Sequence, residues 1–525
     1  MSGRTLSYRE CLVEKKRQEE IAGFIDAGNL TMAEKYLSVG RLHDSTYYYL
    51  YSELLERKND IESSDAYAGK ALSLAEDSER YLLGAIYHRL GENAKRLGKR
   101  DIAAVYFRQS SENKTLLQGK ATDYSNYLLN LHYTEKDAKM MLQAARGYQD
   151  IFAKTKKYSL KNHNHRKLRI GYISPDFCRH IVACFSQAFF RDYARDRFDV
   201  YAYSTCTPDD ITTKMSESAV YWRNVNGMLD AQIADTIYQD EIDILVDLSG
   251  HTGQSCLPVL AYRPAPCQIS GIGYFSTTGL TVVDFFLTDR YSASLGEEAY
   301  FTERLIRLPN SHLCYTPLID QKVVAGHSPC LDKGYVTLGT LNHFDKVTDK
   351  MLAIWGQIMK HLPNARLSLK SVVFDDEYRL VQAYHRMEMA GIPLSRVDVA
   401  GYSEDYWKAY ECMDIALDTY PYPGGGTTCE ALYMGVPVVS MYGSHHHERF
   451  GFSLLANVGL SELACRDESE YVRCVIDLAS DWELLIALQR NLSQRFLQSP
   501  VMDRKAYMRD LEEQYWSIWR SRTWV

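Results

Sequence analysis

The 525-residue chain is predicted to be an α/β protein, with two Rossmann-like, doubly wound domains facing a cleft behind an all-α region. Three observations predict this. Residues from about Tyr8 to Lys157 carry Ala, Leu and Tyr at helical spacing, with glycines at the turns. The pattern breaks at Leu168, where short β-rich runs begin to alternate with helical segments, as in a parallel sheet covered on both faces. A second such series starts at Tyr335 and contains a Gly-rich turn between a strand and a helix.

In the helical region, Leu90-Gly-Glu-Asn-Ala-Lys-Arg-Leu-Gly-Lys-Arg-Asp-Ile-Ala-Ala-Val-Tyr-Phe107 and the segment 60–76 are similar to tetratricopeptide (TPR) hairpins. The region has room for about three or four hairpins of roughly 34 residues. Stacked hairpins make a short solenoid that can hold a peptide or mediate oligomerisation. A polar, basic stretch from Lys156 to Lys167 reads as a linker, with His163 and His165 solvated and not metal-bound.

Strands are expected at Leu168–Ile173, Phe198–Tyr203, Ile242–Leu248, Cys267–Ile272, Phe285–Thr288 and Arg304–Leu308. Val323–Lys333 reads as a connection between sheets. The second series comprises Tyr335–Leu341, Arg366–Lys370, Arg396–Ala400, Met413–Leu417 and Val436–Met441, and the end of the chain, Asp467–Trp524, is helical. The expected domains are residues 1–160, 166–322 and 323–525. Loops after the strand ends of the two sheet domains converge on a shared cleft.

Composition narrows the function. Apolar residues make up 46% and charged residues 24%, as in a soluble globular protein. The net charge of −7 and the lack of a basic patch exclude a nucleic-acid partner. Twelve Cys without a C-x-x-C pair suit a reducing cytoplasm. Neither an apolar leader nor a membrane-length apolar run occurs, so no membrane span is expected.

The most informative stretch is Asp418-Thr-Tyr-Pro-Tyr-Pro-Gly-Gly-Gly-Thr-Thr-Cys-Glu-Ala-Leu-Tyr-Met-Gly-Val-Pro437. A strand, the glycines Gly424, Gly425 and Gly426, and a helix N-terminus make an anion site. Thr427 and Thr428 are placed at the N-cap, where hydroxyls cap the helix or bind phosphate oxygens. The absence of a following Lys excludes a Walker loop. His180 and His251, each just beyond a strand end, are placed to reach a cleft, although a capping or packing role fits either as well.

This stretch resembles the donor-binding signature of the Spindly and O-GlcNAc transferase family, and the likeness extends in order over roughly residues 125–520. Other matching motifs are Ser174-Pro-Asp-Phe-Cys-Arg-His180, Gly250-His-Thr252, Arg263-Pro-Ala-Pro266, Gly271-Ile-Gly-Tyr-Phe-Ser-Thr-Thr-Gly279, Leu341-Asn-His-Phe-Asp-Lys346 and Gly443-Ser-His-His-His-Glu-Arg-Phe-Gly451. The resemblance implies a GT-B fold with a short TPR-like domain in front. It implies catalytic roles for His180, near acceptor and sugar, and for Lys346, which neutralises the departing diphosphate. It implies donor binding by Tyr406, His343, the Gly424–Thr428 loop and Glu430, the last at the ribose. His251, Thr277, Thr278 and Arg449 would belong to the sugar and acceptor pocket. Phe275 stands where relatives carry Pro, and Gly425-Gly426 stands where they carry Thr or His.

The expected activity is inverting, metal-independent transfer of a single sugar from a nucleotide diphosphate sugar, UDP-GlcNAc or related, to Ser or Thr of a protein. No metal or other cofactor is required, and the three histidines 445–447 are read as pocket wall. Three alternatives stay open: Asn-linked glucosylation, O-fucosylation from GDP-fucose, and a noncatalytic TPR scaffold.

Overall fold

Gly28, Asn59 and Gly98 all adopt the left-handed backbone region, and each turns a helical hairpin. In the computed structural model these hairpins are Tyr8–Asp26 with Leu30–Ser38, Ser45–Arg57 with Ile61–Leu74, and Arg80–Arg96 with Arg100–Asn113. A further helix, Leu117–Leu131, follows. The residue after the turn starts the second helix: Asn29 and Asp60 accept hydrogen bonds from Met32 N and Ser63 N. Small residues set close crossings. A Cβ on Gly91 would lie 2.9 Å from the Phe107 ring. The described residues are 8–134, 137–159, 165–218, 221–318 and 328–521. The chain divides into two units, Met1–Thr134 and Glu135–Val525, and the first is this stack of TPR-like hairpins.

The second unit opens with the helix Ala138–Arg146. Gly279, with φ of +74°, passes so close that an added Cβ would meet the Ala145 carbonyl oxygen at 1.9 Å. Two all-parallel sheets follow. The first contains β1 (Leu168–Ser174), β2 (Phe198–Ser204), β3 (Tyr221–Asn224), β4 (Ile244–Asp247), β5 (Cys267–Gly271), β6 (Phe285–Asp289) and β7 (Arg304–Leu308), in the order 3-2-1-4-5-6-7. The second contains β8 (Thr337–Thr340), β9 (Arg366–Lys370), β10 (Val397–Ala400), β11 (Ile415–Leu417), β12 (Val438–Met441) and β13 (Ala464–Cys465), in the order 10-9-8-11-12-13. Both are Rossmann orders, so the chain reverses direction across each sheet between β1 and β4 and between β8 and β11. This is the GT-B pair that the resemblance implied. β4 is wholly buried, which explains its apolar run Ile244-Leu-Val246, and β1 and β5 are buried at nearly every position.

Two strands have no counterpart among those expected. β3 is a largely exposed edge strand, Tyr-Trp-Arg-Asn, and β13 has two residues; neither leaves an apolar run to read. The C-terminal helix Arg504–Ser521 returns to the first lobe, where Tyr515 Oη lies 3.3 Å from Tyr172 Oη and Glu512 accepts from Ala194 N at 2.8 Å.

His165 is not solvated. Its Nδ1 lies 3.0 Å from Asp243 Oδ2, and its Nε2 lies 3.3 Å from Glu241. His163, residues 323–327 of the connection between sheets and residues 522–524 of the C-terminal segment lie outside the described residues.

Candidate active site

Both topological switch points point into one cleft. From the first lobe come the loops after β1 and β4, and from the second those after β8 and β11. Together they enclose a cavity of about 300 Å³ whose polar lining includes Asp176, His180, Thr252 and Lys346, closed by Gly425 and Gly426. An adjoining cavity of about 630 Å³ is lined by Arg179, Tyr402, Glu404, Tyr406 and Glu430. His180 and Ile181 border both. The larger cavity carries the tyrosines Tyr315, Tyr402 and Tyr406, and the smaller one the lysine.

Asp418 organises the Gly-rich loop. Wholly buried at the end of β11, it accepts from Thr419 N at 2.9 Å, Gly424 N at 2.7 Å, Asn342 Nδ2 at 3.1 Å and Ser440 Oγ at 2.7 Å. Asn342 passes the order on by accepting from Thr427 Oγ1 at 2.7 Å. An added Cβ on Gly424 would meet that Oγ1 at 2.3 Å, and one on Gly426 would meet Ile181 Cδ1 at 2.1 Å. The side chain of Ile181, from the opposite lobe, thus occupies the space beside Gly426. Gly425 is the helix N-cap and no side chain caps this end, so the expected placement of Thr427 and Thr428 is corrected. Thr427 binds Asn342, and Thr428 Oγ1 donates back to Gly424 O. The N-cap residue therefore supplies no side-chain acceptor to the N–H groups of this helix end.

Lys346 enters from beyond β8. Its ammonium sits 3.7 Å above the Tyr422 ring and 3.4 Å from Pro423 O. Burial pulls its pKa down to about 8, while Asp418 acts in the opposite sense. Lys346 therefore gives up its proton more readily than a solvated lysine, and an anion placed beside it would oppose that loss.

His180 lies just beyond β1 and caps the helix Ile181–Arg191: Val182 N donates to Nδ1 at 3.3 Å. Asp176 Oδ1 lies 3.4 Å from the same Nδ1. His180 is therefore both a helix cap and a cavity-lining residue. Glu430 is buried, and its carboxylate accepts from Tyr406 Oη at 2.6 Å and Tyr410 Oη at 3.1 Å. Burial raises its pKa, against those two bonds.

Several expected pocket residues face elsewhere. His251 is only 1% exposed, with Nε2 2.9 Å from Thr278 O and its ring against Tyr148 and Tyr274. Burial lowers its pKa to about 4, so the ring stays neutral. Its neighbours Thr252 and Gly253 line the cavity instead. Thr277 and Thr278 turn inward and donate to the buried Glu303. Arg449 bridges Tyr291 O at 2.8 Å and Gly443 O at 2.7 Å, fixing the 443–451 loop to the first lobe. His343 is exposed, 3.5 Å from Asp345. Of the three adjacent histidines, His446 is inserted between Phe275 O and Thr288 Oγ1, each at 2.8 Å. Among the described residues no group of three or more His, Cys, Asp or Glu could hold a metal.

Asp176, Asn342, Tyr402, Tyr422 and Asp418 take part in the site without having been singled out from the sequence. A signal existed for two of them. Asp418 is a charged residue directly at the end of an apolar strand, and Asp176 stands four residues before His180.

The glycosyl transferase family 41 profile matches residues 134–317 and 320–511. The chain is 36% identical over 407 residues to a Hordeum vulgare protein named probable UDP-N-acetylglucosamine–peptide N-acetylglucosaminyltransferase SPINDLY, covering 75% of this chain and 43% of that one. The Arabidopsis thaliana protein of the same name is 39% identical over 363 residues, 68% of this chain and 40% of its own length. The chain thus spans less than half the length of these curated relatives. Among solved structures, a mutant of the Thermobaculum terrenum O-GlcNAc transferase superposes with a TM-score of 0.82 at 26% identity, covering 98% of this chain and 99% of that one. The chain belongs to glycosyl transferase family 41.

Proposed function

We propose that the chain is an inverting, metal-independent glycosyltransferase that moves one N-acetylglucosamine from UDP-GlcNAc to Ser or Thr hydroxyls of a protein. One observation carries the reading: Lys346 and the uncapped helix N-terminus at Gly425–Gly426 border the same cavity as His180. The positive side of the cavity suits a diphosphate, and the imidazole suits an acceptor hydroxyl. The names of the relatives support the donor and the peptide acceptor.

In this reading the acceptor oxygen attacks the anomeric carbon from the face opposite the diphosphate, which inverts the configuration. The leaving diphosphate gathers charge, which Lys346 and the helix N-terminus stabilise without a metal ion. Tyr406 and Glu430 hold the nucleoside in the larger cavity, and the TPR-like hairpins take the acceptor chain. Twelve free cysteines support work in a reducing cytoplasm.

Thermal shift against UDP, GDP, UDP-GlcNAc and GDP-fucose tests the donor. Ligand at a hundred times its Kd stabilises by about 2.7 kcal/mol. A shift with uridine nucleotides supports the reading, a shift with guanosine nucleotides alone replaces the donor, and no shift with any leaves a scaffold. A glycan that survives alkaline β-elimination would place the linkage on Asn.

A further inference from the structure

We propose that Asp176 is a positioning residue that turns His180 from a helix cap into the proton acceptor of transfer. The inference rests on the reading of His180 as the group that meets the acceptor hydroxyl. Two neighbours compete for His180 Nδ1: Val182 N–H at 3.3 Å and Asp176 Oδ1 at 3.4 Å. Val182 requires a bare Nδ1, and a neutral ring then carries its proton on Nε2, which can only donate. The Asp176 carboxylate requires Nδ1–H, which leaves Nε2 bare and able to accept. His180 is a base only in the second arrangement. In the first it is merely the cap of the helix Ile181–Arg191.

The surroundings fit a control point. Asp176 lines the cavity with its side chain 15% exposed. Its titratable neighbours are His180 and Cys178 on its own loop, Asp247 at the end of β4, and Cys256 beyond that strand. Burial and the field of Asp247 raise the Asp176 carboxyl, while His180 acts in the opposite sense. Burial pushes both thiols up, Cys178 to about 12, so they stay neutral. Asp176 therefore ionises at a higher pH than a free carboxyl, and its protonation removes the charge that favours Nδ1–H.

During transfer the acceptor oxygen bonds to the anomeric carbon. The bond from that carbon to the phosphate oxygen breaks, and its electron pair leaves on the diphosphate. The hydroxyl proton passes to His180 Nε2, and Nδ1–H stays directed at Asp176. The imidazolium later returns its proton to solvent across its half-exposed side chain.

The test compares wild type, Asp176→Asn, His180→Gln and the double variant in the full chain. The carboxamide keeps the volume of Asp176 but can donate to Nδ1. With UDP-GlcNAc and a library of Ser/Thr peptides, Asp176→Asn is expected to lower kcat by about 10²–10⁴-fold, the usual span for general-base catalysis, with the KM for UDP-GlcNAc little changed. It should add nothing in the His180→Gln background. In ¹⁵N-imidazole spectra, UDP-GlcNAc-bound wild type should show the His180 Nδ1–H tautomer and Asp176→Ala, which leaves Nδ1 no carboxyl or amide acceptor at this position, the Nε2–H tautomer. Identical tautomers in the two proteins, or losses that add in the double variant, would overturn the proposal. Wild-type turnover in His180→Gln would instead remove the proton-acceptor reading of His180, while the spectra would still decide whether Asp176 controls the ring.

Discussion

Lys346 holds its proton against burial, with the distant help of Asp418, so its pKa falls to about 8. The sign of the consequence is definite. In the empty site Lys346 is charged below that pH and increasingly neutral above it, whereas a bound diphosphate keeps it charged. Affinity for UDP-GlcNAc should be flat below pH 7 and fall by about sevenfold between pH 7 and 8.8, as follows from the fraction of charged lysine. Isothermal titration across that range checks this, and Lys346→Arg, whose guanidinium does not titrate, should flatten the curve. The same fall in the Arg variant would assign it to another group. Lys346 could be singled out from the sequence because Leu341-Asn-His-Phe-Asp-Lys346 matches a family motif ahead of a helix; a lysine alone there would read as solvated surface. His251, Thr277 and Thr278 show the opposite limit. They stand within matching motifs, yet whether a loop residue faces the cavity or the core depends on the chain's path. That path is set by Gly279 against the Ala145 carbonyl and by the buried Glu303.

At the scale of elements, the Gly-rich loop answers its substitutions one glycine at a time. A methyl group on Gly425 would meet Leu313 and Phe450 at 3.7 and 3.9 Å, ordinary contact distances, so Gly425→Ala should retain UDP binding. Gly424→Ala drives a methyl into Thr427 Oγ1 and disturbs the chain of bonds through Asn342 to Asp418. Overpacking of this kind costs about 1–3 kcal/mol, to be read as a lower Tm and weaker UDP binding. Gly426→Ala displaces Ile181, and pairing it with Ile181→Ala should restore Tm and binding. Failure of that rescue would show that the clash is not with Ile181. The strand–turn–helix outline was visible in the sequence because prolines, glycines and apolar runs mark it. The partner of Gly426 was not, because Ile181 lies some 245 residues earlier in the chain and only the two sheets bring it close.

For the whole molecule, every residue lining the two cavities lies beyond Leu168, in the unit Glu135–Val525. Removing residues 1–134 should therefore leave UDP binding intact and abolish transfer to the protein acceptor. The shortened protein must first be shown to be folded and monodisperse, because newly exposed apolar surface promotes aggregation. A folded deletion that modifies the intact acceptor at the full rate would mean that the hairpins are not the acceptor site. The hairpin periodicity and both Rossmann alternations were open to sequence reading because they repeat; β3 and β13, exposed or two residues long, were not.

The central claim is that Lys346 and the open helix N-terminus stabilise a departing nucleotide diphosphate. The most direct test is transfer of radiolabelled sugar from UDP-GlcNAc to acceptor protein, with Lys346→Met beside wild type and UDP binding measured on both. Wild type is expected to transfer label that alkaline β-elimination releases. The Met variant is expected to bind UDP yet lose transfer by about a hundredfold or more, the usual cost of removing such a charge-stabilising donor. Transfer by the Met variant at the wild-type rate would contradict the account.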